Sequence, residues 1–373
     1  MKFTISSQVL NNKLQFLSKV INTKAINPLL QDFFFKTEGN ILTIIAADND
    51  TTLEATIELV ECDMDSQIAF PAKTMLDSVR EIPDQPITFE INDTTYETVV
   101  YYCNGRYNIV GHNADEYPQP SMLQDECFTH TIPSAVFANG ISRSIFAAAD
   151  DELRPVMNGV YIIFDKENTS FVTSDGHKLV CDKNASYTTE EKSSFILPKR
   201  PATIVKSFIG SSDEVTISFD NRIAVISNPD YRLTCRLIEG RYPNYASVIP
   251  TNNPHKLTLD RPTFISALKR VAVFSPAESG LIRLRINEGE LVMSAQNLDF
   301  STSAVESMAC QYEGVPMSIG FKANFLIEVL NNTPGQEIIL KLADPSRAGL
   351  IVPSEQDEND NLVMLLMPMV VND

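Results

Sequence analysis

Residues 6–22 read SSQVLNNKLQFLSKVIN, and their apolar side chains recur at the spacing of an amphipathic helix. The same pattern returns in PSAVFANGISRSIFAAA at 133–149 and in DRPTFISALKRVAVFSP at 260–276. In each stretch an apolar pair four residues apart places one hydrophobic stripe along the helix. The paired residues are Leu10 and Leu14, Phe137 and Ile141, and Phe264 and Leu268, with spacings of 127 between successive copies.

Three further landmarks follow each of these helices in one order. The first is a strand that runs into a polar turn, ILTIIAADND at 41–50. The second is a short helix, PAKTMLDSVREI at 71–82, and the third is an alternating strand, ITFEIND at 87–93. Their counterparts are TSFVTSDGHK (169–178) and GELVMSAQNL (289–298), PKRPATIVKSFI (198–209) and FKANFLIEVLNN (321–332), and VTISFDN (215–221) and IILKLAD (338–344).

The repeat period is about a third of the 373 residues, so the chain divides into three copies. Each copy is far longer than a solenoid repeat and is therefore a complete domain. The order helix, strands, helix, strands predicts an α+β fold with two helices packed on antiparallel sheet. We place the copies at 1–125, 126–251 and 252–373, the N-caps of the long helices at Ser6 or Ser7, Ser134 and Asp260, and the starts of two short helices at Pro71 and Pro198.

The net charge of −18, from 30 basic and 48 acidic residues, argues against a plain nucleic-acid binder and against an anionic membrane partner. This charge is unevenly distributed, because the predicted helices carry an excess of basic side chains and the rest of the chain an excess of acidic ones. Helix propensity does not explain the excess of basic side chains, because glutamate forms helices as readily as lysine. If the helices share one face, that face attracts a polyanion without reading its sequence. The six predicted helices, taken as 6–24, 71–81, 133–149, 198–208, 260–276 and 320–331, carry 13 basic and 4 acidic side chains, a charge of about +9, which leaves about −27 elsewhere.

The chain carries no sign of export or of a membrane anchor. No apolar run approaches the roughly 18 residues that cross a bilayer, and the opening MKFTISSQVLNNK lacks a signal-peptide core. We therefore expect a cytoplasmic protein. The six cysteines are scattered and too few for a disulfide scaffold, so we expect small core residues.

Catalytic motifs are scarce. The chain has no P-loop and no G-x-G-x-x-G, and none of its four histidines is paired with a second ligand at metal spacing, so we expect no catalytic residue, metal or cofactor. The most enzyme-like string is TSDGHK at 173–178, in which Asp175 and His177 would supply a carboxylate and a base to a hydrolase. The competing interpretation is an Asp-Gly turn, because the other copies carry different residues there.

Two stretches near the C-terminus have different characters. The acidic stretch at 354–361 is typical of a solvated loop. The stretch LVMLLMPMVV at 362–371 fits two interpretations equally well. It is either a buried closing strand or the rim of an apolar pocket for a partner peptide, since methionine-rich surfaces adapt to several ligands.

Several strings resemble the bacterial sliding clamp, the beta subunit of DNA polymerase III. They are the opening MKFTI, SDGHKL at 174–179, EGRYPNY at 239–245 and MPM at 367–369, each in its expected copy. The resemblance implies the DNA clamp fold, with a head-to-tail homodimer whose six domains form a ring of pseudo-sixfold symmetry. It implies a non-catalytic processivity factor that encircles double-stranded DNA without reading its sequence and tethers the replicative DNA polymerase. An ATP-driven clamp loader and other clamp-binding replication and repair proteins are the further partners that it implies.

The resemblance also implies three sets of site residues. The family's DNA-facing positions match Lys24, Lys73, Lys199 and Arg200. Its dimer interface matches Tyr107 and Ile109 on copy 1, facing Val273 and Phe274 on copy 3. Its partner-peptide pocket, an apolar cleft between copies 2 and 3, matches Met157, Ser174, Gly176, His177, Lys178, Leu179, Pro243, Val248, Leu365, Met367, Pro368 and Met369.

The sequence departs from the family pattern in three places. Ser247 stands where an arginine often borders the pocket, and Pro155-Val156 occupies a loop that can carry aromatic residues. Val370–Asp373 extend the chain beyond the pocket rim. A peptide-binding scaffold that never touches DNA is the remaining alternative, and it predicts that the basic helix residues are dispensable.

Overall fold

The structure, a computed structural model, describes residues 1–371 apart from the side chain of Ser211. Helices and antiparallel strands alternate three times along these residues, so the predicted α+β fold in three copies is confirmed. The apolar pair of each long helix is fully buried, as its spacing predicts. In copy 1 the rings of Phe3 and Phe89 stack with centroids 4.8 Å apart, which is typical of a close-packed core.

Copy 1 begins with a strand that leads directly into its first helix. The Val9 N–H donates to the Ser6 hydroxyl at 3.3 Å, so Ser6 is the N-cap. Pro71 ends a strand and precedes the second helix instead of opening it, because its ψ of 112° is still extended. The elements are β1 (Lys2–Ser6), α1 (Ser7–Leu17), β2 (Asp32–Glu38), β3 (Ile41–Ala47), β4 (Thr51–Glu58), β5 (Glu61–Cys62), β6 (Ser66–Pro71), α2 (Ala72–Arg80), β7 (Pro86–Ile91), β8 (Glu97–Tyr102) and β9 (Gly105–Val110).

Copy 2 repeats this order. The N-cap expected at Ser134 is wrong, because Ser134 is the first residue of its helix; its N–H donates to the Asp213 carbonyl at 2.8 Å. Pro198 ends a strand, as Pro71 does. The elements are β10 (Phe128–Pro133), α3 (Ser134–Ser144), β11 (Gly159–Phe164), β12 (Thr169–Ser174), β13 (Lys178–Asn184), β14 (Ser193–Pro198), α4 (Lys199–Phe208), β15 (Glu214–Phe219), β16 (Ile223–Ser227) and β17 (Tyr231–Arg236).

Copy 3 follows the same plan. Asp260 is the N-cap of its first helix, since its carboxylate accepts a hydrogen bond from the Thr263 N–H at 3.0 Å. The elements are β18 (His255–Asp260), α5 (Arg261–Ala272), β19 (Leu281–Asn287), β20 (Glu290–Asn297), β21 (Thr302–Ala309), β22 (Gln311–Glu313), β23 (Met317–Lys322), α6 (Ala323–Asn332), β24 (Glu337–Leu342), β25 (Gly349–Pro353) and β26 (Asp360–Leu366).

The cysteines only partly follow the expectation of core burial. Cys181 and Cys235 are buried within strands. Cys103 and Cys127 are exposed, so the expectation is wrong for them. Cys103 lies in the turn between β8 and β9, and Cys127 precedes β10, where neither meets a packed interior.

Sheets run through the boundaries between copies. β4 of copy 1 pairs with β17 of copy 2, and we call this pairing the first joint. β13 of copy 2 pairs with β26 of copy 3, and we call this the second joint. Because sheets cross the boundaries, the chain divides into two compact units with one joint each: Met1–Ala138 with Arg200–Leu237, and Asn139–Lys199 with Ile238 onward.

The two joints share one strand register. In each, a row of directly paired residues crosses four strands of one copy and enters the next copy. The rows begin at His130 and Leu257 and end at Leu53 and Val180, and both pairs of residues are 127 apart. The rows are His130–Ile217–Ile226–Leu233–Leu53 and Leu257–Leu340–Ile351–Met364–Val180.

The equivalent row of copy 1 stops at an open edge. It runs Phe3–Phe89–Val100–Tyr107 and ends on β9, which pairs only with β8 within residues 1–371. In copy 3, β21 pairs only with β20 over the same residues. The chain therefore presents two unpaired edges at the positions where a third joint would form.

Candidate functional site

The turn between β12 and β13 lies beside the end of β26 at the second joint. The Asp175 carboxylate accepts hydrogen bonds from the N–H groups of His177 (2.8 Å) and Lys178 (2.9 Å). Gly176 has a φ of 91°, which a side chain would strain. The Met367 N–H donates to the His177 carbonyl at 2.9 Å, so the end of β26 is tied to this turn.

The buried Lys178 ammonium links the turn to α6. Its Nζ lies 3.0 Å from the Asp175 carboxylate, 2.9 Å from the Glu328 carboxylate and 4.6 Å from the centroid of the Phe325 ring. Burial alone would lower the pKa of Lys178, but the two carboxylates raise it above its usual value. Burial alone would raise the pKa of Asp175, but its backbone hydrogen bonds and the ammonium hold it below its usual value. Both groups therefore stay ionised at neutral pH.

An apolar cluster lies at the second joint beside this turn. Leu179 of β13 and Leu365 of β26 lie in it, and both are buried. Tyr242 stacks on Tyr161 with ring centroids 4.8 Å apart, and Val156 packs at the edge of the cluster. The second joint thus combines apolar side chains of two copies, a pair of stacked tyrosine rings and the charged groups of the turn.

The remaining predicted pocket residues are distributed around this cluster. Met157 is buried, and Ser174 is bound into the turn by its hydroxyl, which donates to the Lys178 carbonyl at 2.9 Å. Met367 and Val248 are exposed, and Pro243 is exposed too. The Met369 N–H donates to the Gly320 carbonyl at 2.8 Å, and Pro368 is half-buried.

The stretch at 362–371 changes character at Leu366: its first part is the predicted closing strand, whereas the pocket rim stays a prediction. Residues up to Leu366 belong to β26 and are largely buried, as a closing strand should be. From Met367 onward the side chains are exposed or half-buried and border the turn. Asn372 and Asp373, the end of the predicted extension, lie outside the described residues.

Asp175 and His177 do not form a catalytic pair. The Asp175 carboxylate is occupied by two backbone N–H groups and the Lys178 ammonium. The His177 ring lies 5.7 Å from the Phe325 ring, and its side chain is exposed. The turn interpretation of TSDGHK is therefore the one that the geometry supports.

The four residues predicted to face DNA differ in their surroundings. Lys24 and Lys73 are exposed. Lys199 is half-buried, with its Nζ 3.5 Å from the Ala148 carbonyl. Arg200 is committed to the first joint, where its Nη1 lies 2.6 Å from Asp48 and its Nη2 donates to the Val20 carbonyl at 2.7 Å.

The residues predicted at the dimer interface also differ in how exposed their side chains are. Val273 and Phe274 are 78% and 38% exposed at the end of α5. Tyr107 is half-buried on the open edge strand β9. Ile109 is only 7% exposed, so its side chain belongs to the core of copy 1.

In the described part of the chain, no group of three His, Cys, Asp or Glu side chains is arranged to hold a metal ion. Over the same residues, no helix is long and apolar enough to cross a membrane.

Comparison with known families settles where the chain belongs. Three models of DNA polymerase III beta subunit domains match it in order: the N-terminal domain at residues 1–122, the central domain at 131–244 and the C-terminal domain at 246–370. The chain belongs to the DNA polymerase III beta subunit family. The resemblance found in the sequence is thereby confirmed, whereas the predicted copy boundaries stay predictions.

Relatives of this beta subunit cover it almost completely. The beta sliding clamp of Synechococcus elongatus is 26% identical over 354 residues, covering 92% of each chain. The beta sliding clamp of Caulobacter vibrioides is 27% identical over 383 residues, covering both chains in full. The crystal structure of a DnaN sliding clamp from Pseudomonas aeruginosa bound to griselimycin has a TM-score of 0.94 at 22% identity, and the DNA polymerase III beta subunit of Thermotoga maritima has a TM-score of 0.90 at 24%, each with both chains covered in full. These structures confirm the clamp fold.

Sequence reasoning missed the contribution of α6 to the surroundings of the turn at 175–178. Phe325 contacts the His177 ring and lies within cation–π distance of Lys178 and of Lys322, whose Nζ is 4.9 Å from its centroid. The only signal was an aromatic residue in the first turn of a predicted helix. At the departures from the family pattern, the Ser247 hydroxyl donates to the Asn244 carbonyl, and Val156 packs into the apolar cluster.

Proposed function

We propose that this beta subunit is a DNA sliding clamp, which encircles duplex DNA and tethers the replicative DNA polymerase without catalysing a reaction. The observation that carries the proposal is the match of all three domains to one family in order along the chain. The excess of basic side chains on the helices supports it, since such a surface binds phosphates regardless of sequence. An ATP-driven loader and other clamp-binding proteins would act on it in the cytoplasm.

The proposed ring is a head-to-tail homodimer. The same residue row crosses both joints within the chain, so the open row of copy 1 should cross into copy 3 of a second protomer in the same register. The residue of β21 equivalent to Leu53 and Val180 is Ala304, because its partner Ala295 on β20 corresponds to Ala46 and Thr173. Tyr107 is therefore expected opposite Ala304 of the partner subunit. This closes a cyclic arrangement without open edges.

Exposed apolar residues at the end of α5 support the same arrangement. Val273 and Phe274 are equivalent to Phe146 and Ala147 in copy 2, which lie 127 residues earlier. Phe146 and Ala147 pack into the apolar core that copy 3 contributes at the second joint. Copy 1 of a second protomer would cover Val273 and Phe274 in the same way, and the buried area would favour association.

A cross-linking experiment tests the ring and its register together. Arg106 and Val305 are expected opposite each other across the proposed interface, at a Cα separation of about 5 Å that a disulfide can span. In a background carrying Cys62→Ser, Cys103→Ser and Cys127→Ser, the variant Arg106→Cys/Val305→Cys should oxidise to a covalent dimer. The matched variant Arg106→Cys/Ala309→Cys, displaced by four residues or about 13 Å, should stay monomeric on denaturing gels. The reverse pattern would contradict the proposed register.

Topological binding to DNA is tested with the same variant. Oxidation in the presence of nicked circular DNA should trap rings that survive high salt, because a closed ring cannot slide off a circle. Cutting the circle should release them. Equal retention on circular and linear DNA would contradict the clamp function. Adding Lys24→Glu and Lys73→Glu to this variant should lower the amount of oxidised ring that the circular DNA retains, because fewer basic side chains attract the phosphates. An unchanged amount would favour a scaffold that does not touch DNA.

We further propose that the cleft at the second joint takes apolar peptide segments of the partner proteins. Its floor of Leu179, Leu365 and Tyr242 supplies the apolar contact, and Lys322 beside Phe325 supplies a positive charge at the rim. Griselimycin, which is bound in the structure of the Pseudomonas aeruginosa relative, is a convenient probe. Calorimetry should give one site per chain, and Phe325→Ala should weaken it by about tenfold through lost aromatic contact. Unchanged affinity in this variant would argue for another site.

A further inference from the structure

The turn between β20 and β21 is longer than its two equivalents. In copy 1 the Asp48 N–H donates to the Thr51 carbonyl, so two residues form the turn. In copy 2 the Asp175 N–H donates to the Lys178 carbonyl, again around two residues. In copy 3 Asn297 pairs with Thr302, so the four residues Leu298–Ser301 form the turn. Copy 3 therefore carries two additional residues at this position.

The longer turn exposes two large apolar side chains. Leu298 is 76% exposed and Phe300 is 77% exposed. The Asn297 carboxamide oxygen accepts hydrogen bonds from the N–H groups of Asp299 (3.1 Å) and Phe300 (3.4 Å), so the turn has a defined shape. Single exposed apolar residues are common on protein surfaces, but two together in a short ordered turn indicate a contact surface.

The equivalent turns contact the next copy at both joints. At the first joint the Arg236 N–H donates to the Asp50 carbonyl at 2.8 Å, and at the second joint the Met367 N–H donates to the His177 carbonyl at 2.9 Å. Asp50 and His177 lie three residues before Leu53 and Val180, and Arg236 and Met367 lie three residues after Leu233 and Met364. By the same spacing, Ser301 and the partner's Val110 are the matching pair at the open edges.

We infer that Leu298 and Phe300 form an apolar clasp that docks on the end of β9 of a second copy of this chain and strengthens ring closure. A second copy is the occupant because the turn continues directly into the open edge strand β21, and because its two equivalents each bind the strand that follows theirs in the ring. Val110, at the receiving position, is 60% exposed and so is available for apolar contact. The inference rests on the proposed homodimer and assigns it a specific anchor.

Dimer dissociation measured by sedimentation velocity tests the clasp. Leu298→Ser/Phe300→Ser should raise the dissociation constant at least tenfold, because the apolar contact is lost, while Val315→Ser, another exposed valine of copy 3, should leave it unchanged. Val110→Ser should weaken the dimer as well. Combined with Phe300→Ser, its effect should be less than additive, because both variants remove one contact. Both sites are exposed in the chain, and far-UV circular dichroism verifies that each variant folds.

The possible failures are distinguishable. A wild-type chain that stays monomeric at 100 μM or so would overturn the proposed homodimer and the clasp with it. A wild-type dimer that the turn variant forms equally tightly would overturn the clasp and leave the ring intact. A variant with unchanged dimerisation and reduced binding of the replicative polymerase would overturn the clasp by assigning the turn to another partner.

Discussion

At the first joint, β17 ends with Arg236 beside the turn that contains Asp50. At the second joint, Met367 directly follows the end of β26 and lies beside the turn that contains His177. The backbone hydrogen bond between strand end and turn is the same in both, and so is the register of the strands. The side chains around that bond are different. The backbone pattern is therefore a property of the repeat, whereas the chemistry of each joint is its own.

The two joints differ most in the residues around their turns. The first joint has a groove of about 410 Å³ that is lined mainly by polar and charged residues, among them Asp50, Asp220 and Arg222. The second joint has the apolar cluster around Leu179 and Leu365. A charged groove holds water firmly and offers little hydrophobic gain to a ligand. One backbone arrangement therefore carries a polar groove at the first joint and an apolar cluster at the second, depending on the residues at the strand ends.

The helix side of the joints differs as well. At the first joint, the Lys13 ammonium lies 2.8 Å from Asp230 and 4.3 Å from the centroid of the Tyr231 ring. At the second joint, Arg143 lies 2.8 Å from Asp360 and 3.6 Å from the buried Asp182. The first joint thus uses one half-exposed ion pair, while the second buries two carboxylates around one guanidinium.

The sharpest test of the comparison is to place a carboxylate at the two equivalent strand ends. Met367→Asp should weaken griselimycin binding at least about 100-fold, because an unpaired charge is placed in an apolar cleft. The matched variant Arg236→Asp at the first joint should leave the affinity unchanged. Isothermal titration calorimetry measures both. A loss of binding in both variants would mean that the two joints are not chemically distinct.

Removal of the buried ammonium should be the next largest effect. Lys178→Met keeps the aliphatic stem but leaves Asp175 and Glu328 without their cation, so we expect a loss of about 2 kcal/mol in unfolding free energy. Thr51→Ala, at the equivalent position of the first joint, should cost less than about 1 kcal/mol. Urea titrations followed by far-UV circular dichroism suit this chain, which has no tryptophan. Equal losses would remove the distinction between the joints.

Asp182 predicts a pH dependence that is specific to the second joint. Burial raises its pKa to about 6, although Arg143 opposes the shift. The folded pKa exceeds the ordinary value of 3.8, so the cost of the ionised Asp182 carboxylate is greatest above about pH 6 and is relieved as the pH falls towards about 4. Asp182→Asn should therefore raise the unfolding free energy at pH 7.5 by about 1–2 kcal/mol and change it little at about pH 4.

The matched position at the first joint is Ala55, 127 residues earlier. Ala55→Asp should cost more than Asp182 does at pH 7.5, because the arginine that partly offsets the burial of Asp182 lies in copy 2. Urea titrations at the two pH values measure both variants. A lower unfolding free energy of Asp182→Asn at pH 7.5 would contradict the prediction. It would mean that the Asp182 carboxylate stabilises the fold through Arg143 by more than its burial costs.

The smallest expected effect concerns the half-exposed pair of the first joint. Lys13→Ala removes an ion pair to Asp230, which is half exposed, and one cation–π contact, so the expected loss is about 0.5–1 kcal/mol. The loss should shrink at high salt, since surface pairs are screened. A loss above that of Lys178→Met would reverse the order of the two joints.

Much of the fold follows from local sequence patterns. The three long helices were predictable because Leu10 and its equivalents repeat with helical spacing, and the alternation at 87–93 predicted β7. The errors lie at element ends, as with Ser134, because whether a residue caps or opens a helix depends on where the preceding strand stops.

The cleft was predictable only in part. The turn around Gly176 is recognisable because Asp-Gly has a local hydrogen-bonding pattern. Phe325 and Glu328 escaped detection, since they come from a helix some 150 residues away and no local pattern connects them to Lys178. Arg200 shows the opposite case, because the family resemblance predicted a DNA contact for it, whereas its side chain pairs with Asp48 of copy 1.

The sequence by itself determined that the chain contains three copies of one domain and that its helices carry the positive charge, because periodicity and composition are local properties. Tertiary structure alone decided that β4 meets β17 and β13 meets β26 in one register, and that β9 and β21 are left open. The physical reason is that strand pairing joins backbone groups from distant segments, whose hydrogen bonds carry no mark in the identity of their side chains.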